Sequence, residues 1–174
     1  MKNKKILFSL TVAVLAIAGL VINSCKKDNQ TSVETLLTHG PWHLASVQVI
    51  NYVGSSVVSV DTLNTNCDST QIFTFNTNNT CGYTNFECIP QKTSGSWSIT
   101  SDQLVLNSNM LCADTLIGGA PDPNKSMPFK YTKIVNLGQY SLVLQTGDVN
   151  IFVTSTTRSR IIQYGFVHQA ANSQ

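Results

Sequence analysis

The sequence predicts an all-β domain, an antiparallel meander of about eight to ten short strands behind one short helix. Three observations carry this prediction. The body of the chain is poor in charge but rich in Ser, Thr and Asn and in Val, Ile, Phe and Tyr, a composition that suits half-buried pleated surfaces better than helices. Apolar residues recur at every second position in short runs. Turn-forming residues separate those runs at close intervals.

The helix is expected over Ser32–Leu37, with Thr31 as N-cap and Glu34 completing a capping box, and Gly40-Pro41 stops it. From Trp42 the period is that of a strand. Trp42, Leu44, Val47, Val49 and Ile50 alternate imperfectly, which implies a bulge. Gly54-Ser55-Ser56 then turns the chain into Val57–Leu63. Gln71–Phe75 places Phe73 and Phe75 on one face, Asn76–Asn79 reverses direction, and Thr80–Phe86 returns. Ser94–Ile99 places Trp97 and Ile99 together, Thr100-Ser101-Asp102 turns, and Leu104 and Leu106 share a face. Phe129–Val135, Tyr140–Leu144 and Val149–Thr154 read as three further strands, split by Asn136-Leu137-Gly138 and Thr146-Gly147-Asp148. Arg160–Val167 reads as a last strand or a packed tail. Such a meander buries one face of each strand by curling into a barrel or folding into a sandwich, and closure removes exposed edges. The one long connection, Cys112–Pro128, is rich in Gly, Pro, Asn and Asp and is expected to cross one end as a flap.

The first residues have a different character. Lys2, Lys4 and Lys5 precede an uncharged apolar run, Ile6–Ile22, which ends at Ile22-Asn23-Ser24-Cys25. That is the order of a secretory signal, and the last four residues resemble the lipobox cut by lipoprotein signal peptidase. The organisation expected is a signal peptide at 1–24, a lipidated tether at 25–30, a domain at 31–168 and a tail at 169–174. Cys25 is the expected lipid anchor. Each buried methylene of an acyl chain contributes about 0.8 kcal/mol, so several chains on one cysteine hold a domain at a membrane. The implied location is the cell envelope, at the outer membrane, on either of its faces. Losing residues 1–24 removes three lysines and turns eleven basic against nine acidic residues into eight against nine. A nucleic-acid partner needs a clustered basic face, and none is visible.

The sequence offers little catalytic chemistry. His39 and His43 flank Gly40-Pro41-Trp42, His168 lies in the polar tail, and none has an evident partner. There is no G-x-S-x-G elbow and no patterned pair of carboxylates, and Gly118-Gly119 runs into Ala120-Pro121 rather than a phosphate-binding helix. The chain therefore reads as a non-enzyme without cofactor. Beyond Cys25 stand Cys67, Cys81, Cys88 and Cys112, an even number that favours disulfides in an exported chain and leaves three pairings open. No C-x-x-C spacing and no nearby histidine supports a metal. Trp42, Phe73, Phe75, Trp97, Tyr131 and Tyr140 are the candidates to line a barrel interior. An eight-stranded barrel is wide enough to be filled by side chains or to hold one small ligand.

Several short motifs resemble those of small bacterial lipocalin-like lipoproteins. Leu36-Leu37-Thr38-His39-Gly40-Pro41-Trp42 carries a Gly-x-Trp before the first strand. Phe73–Thr80 is similar to the family's F-x-F-x-x-[DN]-G-T hairpin, with Asn79 where glycine is usual. Gly95–Ile99 and Asp102–Leu106 are similar to its G-x-W-x-[IL] hairpin. The resemblance covers about residues 34–155 and implies an up-and-down barrel of the lipocalin or calycin type. It also implies a disulfide between Cys67 and Cys88, which flank the first hairpin, leaving Cys81 to pair with Cys112. A basic side chain, Arg158 or Arg160, would then pack over Trp42. The function implied is that of a membrane-anchored protein binding a small apolar or amphipathic ligand. The alternative is a non-catalytic interaction or structural lipoprotein that contacts protein or glycan. No oligomeric state follows from the sequence.

Overall fold

The computed structural model describes residues 33–63, 65–114 and 122–168. The signal segment, Cys25, the tether, Thr31 and the tail lie outside the described residues, as does the middle of the Cys112–Pro128 connection. The chain divides into two compact units, residues 1–35 and 36–174, and the fold described below is that of the second. Residues 33–37 are helical.

Among the described residues nine strands follow: β1 (Trp42–Val53), β2 (Ser56–Leu63), β3 (Ile72–Phe75), β4 (Thr80–Thr84), β5 (Lys92–Ile99), β6 (Val105–Ser108), β7 (Thr132–Leu137), β8 (Ser141–Gly147) and β9 (Arg158–Val167). All pairings between them are antiparallel. Each strand from β3 to β9 pairs with the next, and β9 returns to β1, so eight strands form a ring while β2 hangs on the outer edge of β1. The ring closes narrowly at Trp42↔Phe73 and His43↔Ile72, with Leu44 N–H donating to the Gln71 carbonyl at 3.0 Å. The bulge expected in β1 is present, as a shift in register between Leu44 and Ser46 against β9.

Why these residues take these places is mostly a matter of alternation. Phe73 and Phe75 face inward from β3, Cys81 and Tyr83 from β4, Leu142 and Leu144 from β8, and Tyr164 and Phe166 from β9. Asn79, at φ 62°, makes the β3–β4 turn, as its tolerance of positive φ predicts. Two expectations about strand positions fail. Val149–Thr154 is no strand, because Gly147 of β8 already pairs with Ile161 of β9 and the segment between has no neighbour to bond. Leu104 lies outside β6 and is exposed, while Val105 and Leu106 are both buried. The fold offers that leucine only a turn position.

Among the described residues, aromatic side chains pack the interior. Phe129, from the segment before β7, is the hub: its ring centroid lies 4.8 Å from Phe73, 5.2 Å from Tyr164, 5.7 Å from Tyr83 and 5.9 Å from Phe86. Trp97 meets Phe75 edge-on at 5.6 Å and donates its indole N–H to the Asn76 carbonyl at 3.0 Å.

Candidate functional site

Antiparallel order gives the ring two unlike ends. The entry at Trp42, the turns at 76–79, 100–104 and 138–140, and His168 lie at one. The β1–β2 turn, the tight turn Phe86–Cys88, residues 109–114 and 122–131 and the loop 148–157 gather at the other.

The first end is closed by a histidine. The His168 ring lies over Trp42 with centroids 3.7 Å apart and planes at 33°, and its Nδ1 is 2.8 Å from the Pro41 carbonyl. A carbonyl oxygen only accepts, so Nδ1 carries the proton of a neutral ring. Nε2 is buried and has no partner among the described residues. Trp42 is fully buried and donates Nε1–H to the Leu37 carbonyl at 2.9 Å. Burial holds the His168 ring below its ordinary pKa; the Pro41 contact opposes the shift, and His39 and His43 reinforce it. All three histidines of the chain thus influence this end. The expected arginine cover is absent: Arg158 pairs with Val53 and Arg160 with Asn51, at the far end of β1.

That far end is open because the strands are unequal. β1 and β9 run for 12 and 10 residues, whereas β3, β4 and β6 have 4, 5 and 4. The long strands overhang, and their inward face emerges into solvent. Alternation along β9 carries Phe166 and Tyr164 into the core, Ile162 to half-burial, and Arg160 and Arg158 out onto the overhang. These are the only arginines in the chain. They flank an open groove of about 460 Å³ whose other walls include Asn51, Val53 and Val58. Asp148 also lines it, but its carboxylate accepts the Arg160 backbone N–H at 2.9 Å. On the outer face, between the sheet and loop 148–157, a second groove of about 380 Å³ is lined in part by Lys133, Gln145, Ile151 and Val153.

Across the mouth stands the turn Phe86–Cys88. Asn85, Glu87 and Cys88 all have positive φ, a conformation that costs free energy and persists only where the surroundings impose it. Here several contacts do. Cys88 is disulfide-bonded to Cys67. The Gln71 side-chain oxygen accepts Glu87 N–H at 3.0 Å, and Gln91 Nε2 donates to the Phe86 and Ala113 carbonyls at 3.0 and 2.8 Å. The result drives Phe86 into the core and sets Glu87 half-buried at the rim. Burial raises the Glu87 carboxyl pKa, Asp114 adds to the rise and Arg160 offsets part of it. Burial likewise lifts the Tyr83 and Tyr164 hydroxyls well above their ordinary range.

The remaining candidates are dispersed. Trp42, Phe73, Phe75 and Trp97 are buried, and Phe73 and Trp97 pack their rings against Phe75. Tyr131 and Tyr140 are 41% and 60% exposed and line no interior. Thr132 takes the inward position beside Tyr131, and Tyr140 sits in a turn before β8 begins. Cys81 and Cys112 are buried but unlinked. Cys81 Sγ lies 3.3 Å from Ser108 Oγ, and Cys112 Sγ lies 3.7 Å from Thr93 Oγ1. Among the described residues no group of His, Cys, Asp or Glu could hold a metal ion, and no helix is long and apolar enough to cross a membrane. Comparison with known protein families, curated proteins and solved structures finds no match. The site therefore rests on geometry alone, and the open mouth is where geometry concentrates chemistry. Sequence reasoning missed the arginine pair as a site. Its signal was present in Arg158-Ser159-Arg160, two cations on one face of a strand.

Proposed function

We propose that the chain is a non-catalytic envelope lipoprotein, anchored through Cys25, whose lipocalin-like up-and-down barrel binds a small amphipathic molecule with an acidic head at its open mouth. One observation carries the reading. The two arginines occupy successive inward positions of β9 on a groove that also has the apolar walls Val53 and Val58. Guanidinium groups match carboxylate and phosphate oxygens in a bidentate manner. The adjoining valines suit an acyl or other apolar tail. The filled interior argues for binding at the rim rather than at the ring centre, where a lipocalin-like cavity would lie.

The test is titration of the purified protein with long-chain carboxylates and alkyl phosphates, for wild type and for Arg158→Ala with Arg160→Ala. A hydrogen bond to a charged group is worth about 1.5–3 kcal/mol, so losing both arginines weakens binding by about a hundredfold or more. Equal affinity in the double variant, or no binding of any acidic amphipath by wild type, would refute the reading. The anchor is tested separately. Cys25→Ser should yield unprocessed precursor or released protein, and unchanged size and membrane attachment would show that the apolar run alone is the anchor.

A further inference from the structure

Loop 148–157 ends in a feature that the groove does not use. Ile151, Phe152 and Val153 stand in sequence at its tip, all exposed, and Phe152 is 88% exposed. The loop is held in place. Asp148 bonds the Arg160 backbone in both directions, Thr157 Oγ1 accepts Thr154 N–H at 2.9 Å, and Gly54 N–H donates to the Thr157 carbonyl at 2.8 Å. Gly54, at φ 60°, lies so close that a Cβ there would meet the Ser155 carbonyl at 2.9 Å. The loop is therefore locked to the β1–β2 turn, and Val57 and Val58 of that hairpin are exposed as well. Aliphatic and aromatic side chains from this loop and from the β1–β2 hairpin thus crown one end of the ring. Lys133, Arg158 and Arg160 lie just behind them; of the acids near them, Asp148 is engaged by backbone, and Glu87 is half-buried at the rim with its carboxyl pKa raised by burial.

We infer that this end inserts its Phe152 tip into the interfacial region of an anionic lipid bilayer. A phenyl ring standing almost wholly free is convex. A folded partner would need a matching pocket, whereas acyl chains and headgroups flow around a protrusion. The charge pattern agrees: apolar side chains lead and cations follow at headgroup depth, as in proteins that bury apolar side chains about 5–10 Å into a membrane surface. Insertion does not require that the groove hold a ligand, since Phe152 lines neither groove.

The experiment places a reporter at the tip of the full chain. Trp42 and Trp97 are buried, so Phe152→Trp adds a single exposed indole, and a melting curve matching wild type verifies the fold. The protein is mixed with vesicles of phosphatidylethanolamine and phosphatidylglycerol. Emission from the added indole should move to the blue and lose more than about half its intensity to lipids brominated near the headgroup, with less loss to lipids brominated at the chain end. Replacing phosphatidylglycerol by phosphatidylcholine should weaken the effect about tenfold or more. Emission that stays red and open to iodide beside vesicles overturns the inference. Blue emission without vesicles, together with twice the monomer mass in sedimentation, overturns it too and assigns the patch to a second copy. Failure of carboxylate binding in the groove leaves these readouts unchanged, so the two ideas fail separately.

Discussion

Phe129→Ala is the sharpest test of the filled interior. The residue is fully buried and touches Phe73, Tyr83, Phe86 and Tyr164. Truncation removes about 1.5–3 kcal/mol of burial. It also leaves a space of roughly 100 Å³, which at about 24 cal/mol per Å³ costs about 2 kcal/mol more if the walls stay in place. The sum, about 4–5 kcal/mol, is a large share of the roughly 5–15 kcal/mol that holds a domain of this size together. Melting by circular dichroism should fall by roughly 10–20 °C. A small apolar guest such as benzene should restore part of the loss, because a cavity lined by such rings stays dry and binds apolar molecules. A loss below about 1 kcal/mol would mean that Phe129 borders space already present, and the interior would have to be regarded as hollow.

Other perturbations follow from the same contacts. Converting Cys67 and Cys88 together to Ser frees a segment whose ends are 21 residues apart, and should cost about 3 kcal/mol in urea unfolding while removing the sensitivity of wild type to reductant. Cys81 and Cys112 are buried, so a maleimide should label them at the rate of global unfolding and leave both unmodified while the chain is folded. His168 has a pKa held below its ordinary 6.5, so the folded state binds fewer protons than the unfolded one. Its contribution is complete above about pH 6.5 and is lost as the pH falls toward the depressed value. Wild type should therefore lose more stability than His168→Gln between about pH 7.5 and about pH 5.5, and equal slopes would show that the ring is not desolvated.

Much of the fold was legible because the core side chains alternate. Phe73-Thr74-Phe75 and Trp97 declared their inward face by spacing, and Asn79 declared its turn by conformational tolerance. What was not legible is what depends on partners. Val149–Thr154 has the composition of a strand, but composition does not say whether a neighbour will be there, and β8 bonds β9 directly. Tyr131 and Tyr140 have the residue type of a lining but the parity, or the turn, of the surface. The hairpin resemblance chose Cys67 with Cys88, which are bonded, but its other half, Cys81 with Cys112, fails because those two thiols face Ser108 and Thr93 instead of each other. His168 follows the same logic. Only the β1–β9 register, in which His43 opposes Val167, carries the next residue over Trp42.

On the proposed function, strand length rather than interior volume is the variable that would give this ring a place to bind. A hollow ring couples ligand and stability, since every side chain that enlarges the cavity removes packing. Here the groove exists because β1 and β9 outrun their neighbours, and its arginines lie on an overhang whose exposed guanidiniums add little to the fold. Stability and affinity should separate accordingly. Arg158→Ala with Arg160→Ala should lose acidic amphipaths with a melting point within about 2 °C of wild type, exposed substitutions usually lying within about 0.5 kcal/mol. Phe129→Ala should melt far earlier yet bind the same amphipaths with unchanged affinity below its transition. If the core variant loses affinity while still folded, the ligand reaches the aromatic cluster, and the overhang is only its entrance.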